Sequence, residues 1–431
     1  MKKREGTNPV AAVTLAVVVL AAIATGLFAV YKAGNGDEEA LQSAPSGQSV
    51  EGGDGTASAD LDRQPHTPAS GLLEFHAANV RMPLAYEERE VLVLDTISTW
   101  HYADGVYLSA REIDSHLQFM AVSETGDLLW VADRPATCTG FAVSVGPYGD
   151  PIAVLTDTAQ SAEALSGVTV SAYDLETGED VWGPVQVEGP YQGPGLVFAA
   201  PPEDFMGESG ARTALVAATG QPFDIQAIES SEGSAAVLGE YGGQVLLLEG
   251  DSLVLRDAVS QQVLWETSVA AHGWDQEDIH PVVGSRTQGD MVLLAVTSTS
   301  RALISLRDGT VVQEPVRDFA FDSVSGTLVT QNDQGLRASN AEGETLWEFA
   351  VLPDTTIEAL GGALLYLRDG DTVRVHNVIS GQLAQGYDPK GEGPVVVPEF
   401  IAPMGSALLQ YGTQSLLATI EAMPDFVMDE G

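Results

Sequence analysis

The stretch AHGWDQEDIHP at residues 271–281 holds the densest group of side chains that could carry chemistry. Two imidazoles and two carboxylates in it are candidate metal ligands: His272, Asp275, Asp278 and His280. Glu277 lies among them, and nitrogen and carboxylate ligands of this kind suit a divalent cation. Ligand spacing within a loop is permissive, so a polar loop without a metal is the alternative interpretation.

Trp274 stands in the middle of this polar loop. An aromatic side chain among charged neighbours is predicted to be exposed, which makes Trp274 a candidate contact for a protein partner. The acidic turns at 367–373 (LRDGDTV) and 329–335 (VTQNDQG) are candidates for weak Ca²⁺ binding. Neither has the spacing of a twelve-residue Ca²⁺ loop, and solvated hairpin tips are the simpler interpretation.

Bulk composition excludes several classes of function. The chain has 431 residues, 61 Asp and Glu against 19 Lys and Arg, and a formal net charge of −42. Nucleic-acid binding needs clustered cations, so this balance argues against it. Cys138 is the single cysteine, which excludes an intrachain disulfide and is expected to be a small buried residue. No nucleophile elbow, zincin helix or phosphate-binding glycine loop occurs.

A turn motif recurs along the chain, and the elements it builds must position the candidate site residues in the loops. YDLETGEDVW at 173–182 is its clearest copy, with related segments at 122–130 and 339–347. Asp174 can hydrogen-bond the backbone that follows it, and Gly178 supplies the positive φ of a tight turn. The residues predicted to build these motifs are Gly126, Trp130, Asp174, Gly178, Trp182, Trp265, Gly343 and Trp347. The tryptophans are expected to pack between neighbouring sheets.

The motif repeats at the interval of a propeller blade. The turn positions are 126, 178, 220, 261, 309, 343 and 381, a mean step of about 42 residues, and a unit of 40–45 residues with four short strands is typical of a blade. Short apolar runs rich in β-branched residues separate the turns, and no long amphipathic helix occurs. An all-β chain forming a β-propeller of four-stranded blades over 71–425 is therefore predicted. Eight blades are favoured, with seven as the alternative.

The D-x-x-T-G-x-x-x-W spacing resembles the pyrroloquinoline-quinone-like (PQQ-like) β-propeller repeat over roughly 100–390. Quinoprotein dehydrogenases with this repeat use a Trp platform, an Asp, Ca²⁺ ligands and often a disulfide between adjacent cysteines. This chain has one cysteine, and Trp100 and Trp274 are its only tryptophans outside the motif. We therefore expect a non-enzymatic member without catalytic or cofactor-binding residues. The functional analogy is with propellers that scaffold protein assembly in the cell envelope.

The N-terminal region predicts a membrane anchor. Residues 9–31 are apolar and uncharged and follow Lys2, Lys3 and Arg4, a pattern typical of a spanning helix with residues 1–8 in the cytoplasm. A cleaved signal peptide is the alternative, since AIA at 22–24 lies within the apolar run. Residues 32–70 are rich in Gly, Ser, Asp and Pro and are predicted to form a disordered acidic linker. Residues 426–431 form an acidic tail.

Together these features predict a monomeric, single-pass protein of the cell membrane with an extracytoplasmic propeller. Its expected role is a non-catalytic protein-interaction or scaffold module with an envelope protein as partner. An envelope ligand-binding or sensor protein is the alternative. A PQQ-dependent dehydrogenase is the third hypothesis, and it requires an absorbing cofactor and alcohol or sugar oxidation.

Overall fold

Short antiparallel strands make up most of the structure, which is a computed structural model. It describes residues 61–76, 79–96, 100–158, 167–200, 210–226, 235–282 and 288–420, all within one unit that spans residues 60–431. Residues 1–60 and 421–431 lie outside the described residues, and with them the predicted cytoplasmic segment 1–8, the anchor 9–31 and the tail 426–431. No helix in the described part of the chain is long and apolar enough to span a bilayer.

The described strands form eight antiparallel sheets. Two strands precede the first sheet: β1 (Leu73–Glu74) and β2 (Val91–Val93). Sheet 1 contains β3 (His101–Ala103), β4 (Val106–Ile113), β5 (His116–Ser123) and β6 (Leu128–Pro135). Sheet 2 contains β7 (Phe141–Val145), β8 (Pro151–Thr158), β9 (Val168–Asp174) and β10 (Asp180–Val187). Sheet 3 contains β11 (Val197–Ala199) and β12 (Arg212–Ala214).

Sheets 4 to 6 have four strands each. Sheet 4 contains β13 (Ala235–Tyr241), β14 (Gln244–Glu249), β15 (Ser252–Asp257) and β16 (Val263–Ser268). Helix α1 (Val269–His272) and a 3-10 helix (Gln276–Asp278) lead to sheet 5, which contains β17 (His280–Pro281), β18 (Met291–Ala295), β19 (Arg301–Ser305) and β20 (Val311–Gln313). Sheet 6 contains β21 (Asp318–Asp322), β22 (Thr327–Asn332), β23 (Gly335–Ser339) and β24 (Thr345–Phe349).

The last two sheets complete the set. Sheet 7 contains β25 (Thr356–Gly361), β26 (Leu364–Asp369) and β27 (Thr372–Asn377). Sheet 8 contains β28 (Val397–Ile401), β29 (Ala407–Tyr411) and β30 (Gln414–Ala418), followed in space by β2 and β1. In the described residues, seven sheets thus have three to five strands, while sheet 3 has two. The all-β propeller is confirmed, and the seven larger sheets match the alternative of seven blades rather than the favoured eight.

Hydrophobic packing between consecutive sheets closes the strands into a β-propeller. Each of the eight buried clusters in the described residues joins one sheet to the next. Phe119 and Leu155 belong to the cluster between sheets 1 and 2, and Tyr107 and Leu408 to the one between sheets 1 and 8. Each sheet is flanked by apolar layers on both faces, which is why its middle strands carry continuous buried runs, as in Met291–Ala295 of β18.

Sheet 8 joins the two ends of the domain. By sequence, the apolar segment 71–80 before the first full repeat could supply its fourth strand, but the structure assigns that place to β2, with Val91 opposite Ala418 and Val93 opposite Leu416. Strand β1 pairs outside β2 as a fifth strand. The difference follows from burial, because Val91 and Leu92 are buried whereas Leu73 is exposed. Pairing the ends in one sheet removes the free edges of an open array.

The predicted linker is ordered where the structure describes it. His66 pairs with Val131 on the outer edge of β6 through backbone hydrogen bonds of 2.9 and 3.0 Å, and Asp133 N–H donates to the Asp62 carbonyl. Arg63 forms an ion pair with Asp157 of sheet 2. The prediction of disorder through residue 70 is thus wrong for residues 61–70. An unpaired strand edge and an ion pair offset the ordering entropy there, and composition alone does not reveal either.

Candidate functional site

The tryptophans of the turn motif each dock onto the next sheet. Their indole N–H groups donate to backbone carbonyls at 2.6–2.9 Å, in the pairs Trp130–Leu175, Trp182–Ala217, Trp265–Leu306 and Trp347–Val378. Each acceptor lies three residues before the turn glycine of the next sheet, and each ring packs against that glycine. A Cβ built on those glycines would lie 2.5–3.0 Å from the ring, in the pairs Gly178–Trp130, Gly220–Trp182, Gly309–Trp265 and Gly381–Trp347.

The turn residues of the motif have the local geometry that the sequence implies. Gly126, Gly178 and Gly343 have φ of 90°, 73° and 80°. The Asp174 carboxylate accepts hydrogen bonds from the backbone N–H groups of Glu176 and Thr177 and from the Thr177 hydroxyl. These contacts assign the motif residues to turn formation and to packing between sheets. They lie against protein atoms, so the motif provides the framework for a site rather than the site.

The loop at 271–281 does not assemble a metal centre. Asp275 accepts a hydrogen bond from the Glu277 backbone N–H and so caps the 3-10 helix, while His280 lies within β17 opposite Ala295. His272 is the last residue of α1. Among the residues that the structure describes, no three His, Cys, Asp or Glu side chains are grouped as ligands. The prediction from residue type is therefore not met for His272, Asp275, Asp278 and His280, because short helices spread the loop.

Trp274 is buried, contrary to the expected exposed contact. Only 7% of its surface is exposed, and it belongs to the cluster between sheets 4 and 5. Its indole N–H donates to Glu314 Oε2 at 2.9 Å, and its ring stacks on His272 with centroids 4.6 Å apart. Burial of a large aromatic surface with its polar group satisfied is favourable. Trp274 is thus part of the core and is not presented to a partner.

The acidic turns already have protein partners. In the turn at 367–373, Arg374 donates to Asp369 and Thr355 donates to the same carboxylate. Burial opposes ionisation of Asp369, but these hydrogen bonds and the Arg374 charge hold its pKa below the usual range. In the turn at 329–335, Asn332 accepts from the backbone N–H groups of Gln334 and Gly335. Both turns are therefore hairpin tips closed by their own side chains.

The turns between the first two strands of the sheets share one end of the propeller, which we call the inner-turn face. Its described turns are at 104–105, 146–150, 242–243, 288–290, 323–326, 362–363 and 402–406. Hydrogen bonds link neighbouring turns at this end: Phe321 N–H donates to Gln288 Oε1 at 3.0 Å, and Ala363 N–H donates to Asp322 Oδ2 at 3.3 Å. Because antiparallel strands reverse direction at each turn, the motif turns lie at the same end.

Apolar side chains project from the inner-turn face. Tyr148 is 91% exposed, Val324 64% and Met404 61%. In the described inner turns, the charged residues are Asp104, Asp150 and Asp290. The buried Asp322 is the last residue of β21, directly before its inner turn. The surrounding motif turns carry most of the charge at this end, including Asp127, Glu176, Glu179, Asp308, Glu342 and Glu344. The face therefore combines apolar projections near its centre with an acidic periphery.

A pocket of about 280 Å³ opens on the inner-turn face. Sheet 1 contributes its first strand and turn, sheet 2 both sides of its turn, and sheet 4 a glycine. The lining residues are His101, Tyr102, Ala103, Asp104, Val143, Ser144, Val145, Gly149, Pro151 and Gly242. The lining thus includes aliphatic residues, a histidine, a tyrosine, a serine and one aspartate.

Two buried glutamates stand behind the lining. The Ser144 hydroxyl donates to Glu240 Oε1 at 2.7 Å, and Gly243 N–H and Leu196 N–H donate to the same carboxylate at 2.6 and 3.0 Å. Burial raises the pKa of Glu240, and the three hydrogen bonds oppose that shift. On the other side, the Tyr102 phenol interacts with Glu124, and this carboxylate accepts from the Ser406 hydroxyl at 2.7 Å.

His101 is neutral at physiological pH. Burial lowers its pKa to about 4, and a hydrogen bond to the Phe141 backbone opposes the shift only in part. Its ring makes an edge-on contact with the Phe141 ring, with centroids 5.0 Å apart. Asp104, in the tight turn that follows with a φ of 43°, is exposed and also lines the pocket.

Sequence reasoning missed this pocket. His101, Tyr102 and Ser144 lie in short strands without a catalytic motif, and Glu240 is about 100 residues from Ser144. The signal in the sequence is the segment HYADG at 101–105, where a hairpin turn directly follows an imidazole and a phenol. Pairing that segment with sheets 2 and 4 requires the closed ring.

Comparisons with known proteins give limited similarity. Among solved structures, the chain is similar to BamB from Moraxella catarrhalis, with 15% identity, 78% of this chain and 97% of that chain covered, and a TM-score of 0.40. It is also similar to the computationally designed Ika8 protein, with 14% identity, 81% and 100% of the chains covered, and a TM-score of 0.40. No family model and no curated protein match the chain. These similarities carry no assignment of partner or activity.

Proposed function

We propose that this chain is a membrane-anchored, extracytoplasmic β-propeller that acts as a non-catalytic protein-interaction or scaffold module of the cell envelope. The apolar segment 9–31 after Lys2, Lys3 and Arg4 supports the anchor and its orientation. The net charge of −42 favours a basic protein surface as partner and disfavours nucleic acid. We propose that the chain does not associate with further copies of itself and acts as a monomer.

One observation carries the proposal: the exposed apolar side chains of the inner-turn face. Tyr148, Val324 and Met404 project from turns that neighbouring sheets hold in place. A rigid platform with exposed apolar residues and a charged periphery has the composition of a protein interface, in which an apolar centre is surrounded by a polar rim. Because a preordered surface loses little entropy on binding, such a propeller suits a scaffold.

Site-specific photo-cross-linking in intact cells tests this proposal. A photoreactive amino acid is placed at Tyr148, at Met404 and, as a control, at Val263, which is 48% exposed on the outer strand β16. We expect the two inner-turn positions to give the same discrete adduct with an envelope protein and the control to give none. The same diffuse products from all three positions, or no adduct from any, would contradict the interaction surface.

The pocket favours a second candidate, binding of a small envelope ligand. Its volume of about 280 Å³ lies near the lower end of ligand pockets, which span roughly 300–1,000 Å³. A soluble extract fraction that protects the chain from thermal unfolding would support this candidate. The dehydrogenase hypothesis has its own test, since quinone and Ca²⁺ would confer an absorbing cofactor and dye reduction with alcohols or sugars. We expect neither.

A further inference from the structure

The charge around the pocket on the inner-turn face is one-sided. Asp104 is the acidic residue in its lining, and no Lys or Arg lines it. Glu240, behind Ser144, is hydrogen-bonded within the protein and burial raises its pKa, so Asp104 is the carboxylate that a ligand would meet. A carboxylate beside a partly desolvated wall acts at a higher field strength than one in open solvent, since the local dielectric is lower. An anionic ligand would meet repulsion without a compensating cation.

The uncharged part of the lining suits an alkyl chain that ends in a cation. Val143, Val145 and Pro151 supply aliphatic surface, and His101 from the first strand of sheet 1 also lines the pocket. His101 carries no charge at neutral pH because burial lowers its pKa to about 4, so it does not oppose a cation. Long basic side chains bury their methylene stems on apolar surface and hold the cation at a polar or aromatic group.

Tyr148 connects the pocket to the proposed interface. It lies in the turn that also contributes Gly149 to the lining, and it is 91% exposed. A partner that covers Tyr148 therefore lies over the pocket mouth. The space of about 280 Å³ suits one side chain of that partner better than a large cofactor.

We propose that this pocket binds the side chain of an arginine or lysine from the protein partner, with Asp104 as the counter-charge at the mouth. This inference rests on the proposed function and specifies the chemistry of its partner. Asp104 would hydrogen-bond the cation, and the aliphatic wall would cover its stem. Buried interface cations of this kind are common anchors, and arginine is enriched among them.

Titration of the propeller with short peptides tests the proposal. The probes are acetyl-Gly-Arg-Gly-amide, its lysine analogue and a citrulline analogue that keeps the shape of arginine without the charge. We expect the two cationic peptides to bind with at least ~10-fold higher affinity than the citrulline peptide, since the pocket offers a carboxylate. Equal binding of the arginine and citrulline peptides, or binding of neither, would overturn the proposal.

A matched pair of variants tests whether the arginine peptide binds at the pocket that contains Asp104. Asp104→Asn should weaken binding of the arginine peptide at least ~5-fold, while Asp290→Asn should leave it unchanged. Both aspartates are exposed in inner turns with positive φ, of 43° and 57°, and asparagine tolerates that backbone. Unfolding midpoints of both variants establish that they fold. An equal loss in both variants would assign the effect to general surface charge and overturn the proposal.

A free cation distinguishes the source of the ligand. Binding of agmatine together with the arginine peptide supports the pocket, whereas binding of agmatine alone would overturn a partner side chain as occupant. The cross-linking experiment fails independently of this one. Peptide binding without an adduct at Tyr148 would retain the pocket and remove the interaction surface, and an adduct without peptide binding would do the reverse.

Discussion

Two kinds of contact join neighbouring sheets in this propeller. Between sheets 4 and 5, the Trp265 ring packs on Gly309, and its N–H bonds the carbonyl of Leu306. Between sheets 5 and 6 no tryptophan is available, because Gln313 occupies the equivalent position. Its Oε1 accepts a hydrogen bond from the Thr330 hydroxyl at 3.0 Å. A Cβ built on Gly343 of sheet 6 then meets nothing within 4 Å.

The comparison separates what a turn needs from what a contact between sheets needs. Positive φ occurs at all seven motif positions, including Gln261 at 57° and Gly343 at 80°. The turn is therefore a local property of each sheet. Docking requires a tryptophan in one sheet and a glycine in the next, so it is a property of the pair. The repeat motif thus specifies two separable features, the tight turn and the tryptophan–glycine contact with the next sheet. Individual sheets have one feature or both.

The largest effect is expected from removal of the most buried docking tryptophan. Trp130 is 2% exposed, and Trp130→Ala leaves a cavity and an unpaired Leu175 carbonyl. We expect a loss of about 3–5 kcal/mol in unfolding free energy, measured by chemical denaturation. Gln313→Ala removes the equivalent side chain of an undocked contact and should cost less than about 1.5 kcal/mol. Similar losses in the two variants would contradict the distinction between the contacts.

Glycine substitutions separate the contribution of the turn to stability from the contribution of tryptophan packing between sheets. Gly309→Ala and Gly343→Ala both place a side chain at positive φ, which costs about 1–2 kcal/mol. In Gly309→Ala the new Cβ also lies 2.5 Å from the Trp265 ring, so a further loss of about 1–3 kcal/mol is expected. Thermal and denaturant unfolding of both variants measures the difference. Equal destabilisation would mean that the ring moves aside at no cost.

The ordered end of the linker adds a third, smaller contact. Arg63→Ala removes the ion pair with Asp157, where both side chains are less than a fifth exposed. We expect about 1–2 kcal/mol of destabilisation and faster amide exchange at Val131, which pairs with His66. Arg307→Ala is the control, because its pair with Asp290 is exposed and should contribute almost nothing. Unchanged exchange at Val131 in Arg63→Ala would mean that the linker docks without the ion pair.

A further effect concerns the pH dependence of stability. The folded pKa of His101, about 4, lies below its ordinary value of 6.5, so the unfolded state binds this proton first as the pH falls. Stability should decrease from pH 6.5 to 4 by about 1–3 kcal/mol on this account, and His101→Phe should remove that part of the slope. An unaltered slope in His101→Phe would contradict the pKa shift.

The turns and strands were predictable because they depend on neighbouring residues. Asp174 and Gly178 form a turn through contacts within five residues, so the sequence alone implies their geometry. The same reasoning failed for Trp274, whose polar sequence neighbours hide a long-range contact with Glu314. It also failed for residues 61–66, which are ordered by the edge of β6 rather than by their own composition.

The candidate site was less predictable than the fold. His101, Ser144 and Glu240 come from three sheets, and the packing of these sheets around the propeller brings them together. The metal candidates of the 271–281 loop show the converse, since residue type and proximity in sequence did not bring the side chains together in space. Local patterns thus encode the repeat, whereas the site depends on contacts between repeats.

A double-mutant cycle tests the central claim most directly, namely that the motif tryptophan and the next glycine act as one unit of packing. The unfolding free energies of Trp265→Leu, Gly309→Ala, the double variant and the parent are compared. We expect Gly309→Ala to cost about 1–2 kcal/mol less in the Trp265→Leu background, because the smaller side chain leaves room for the new methyl group. Strict additivity of the two substitutions would contradict the claim.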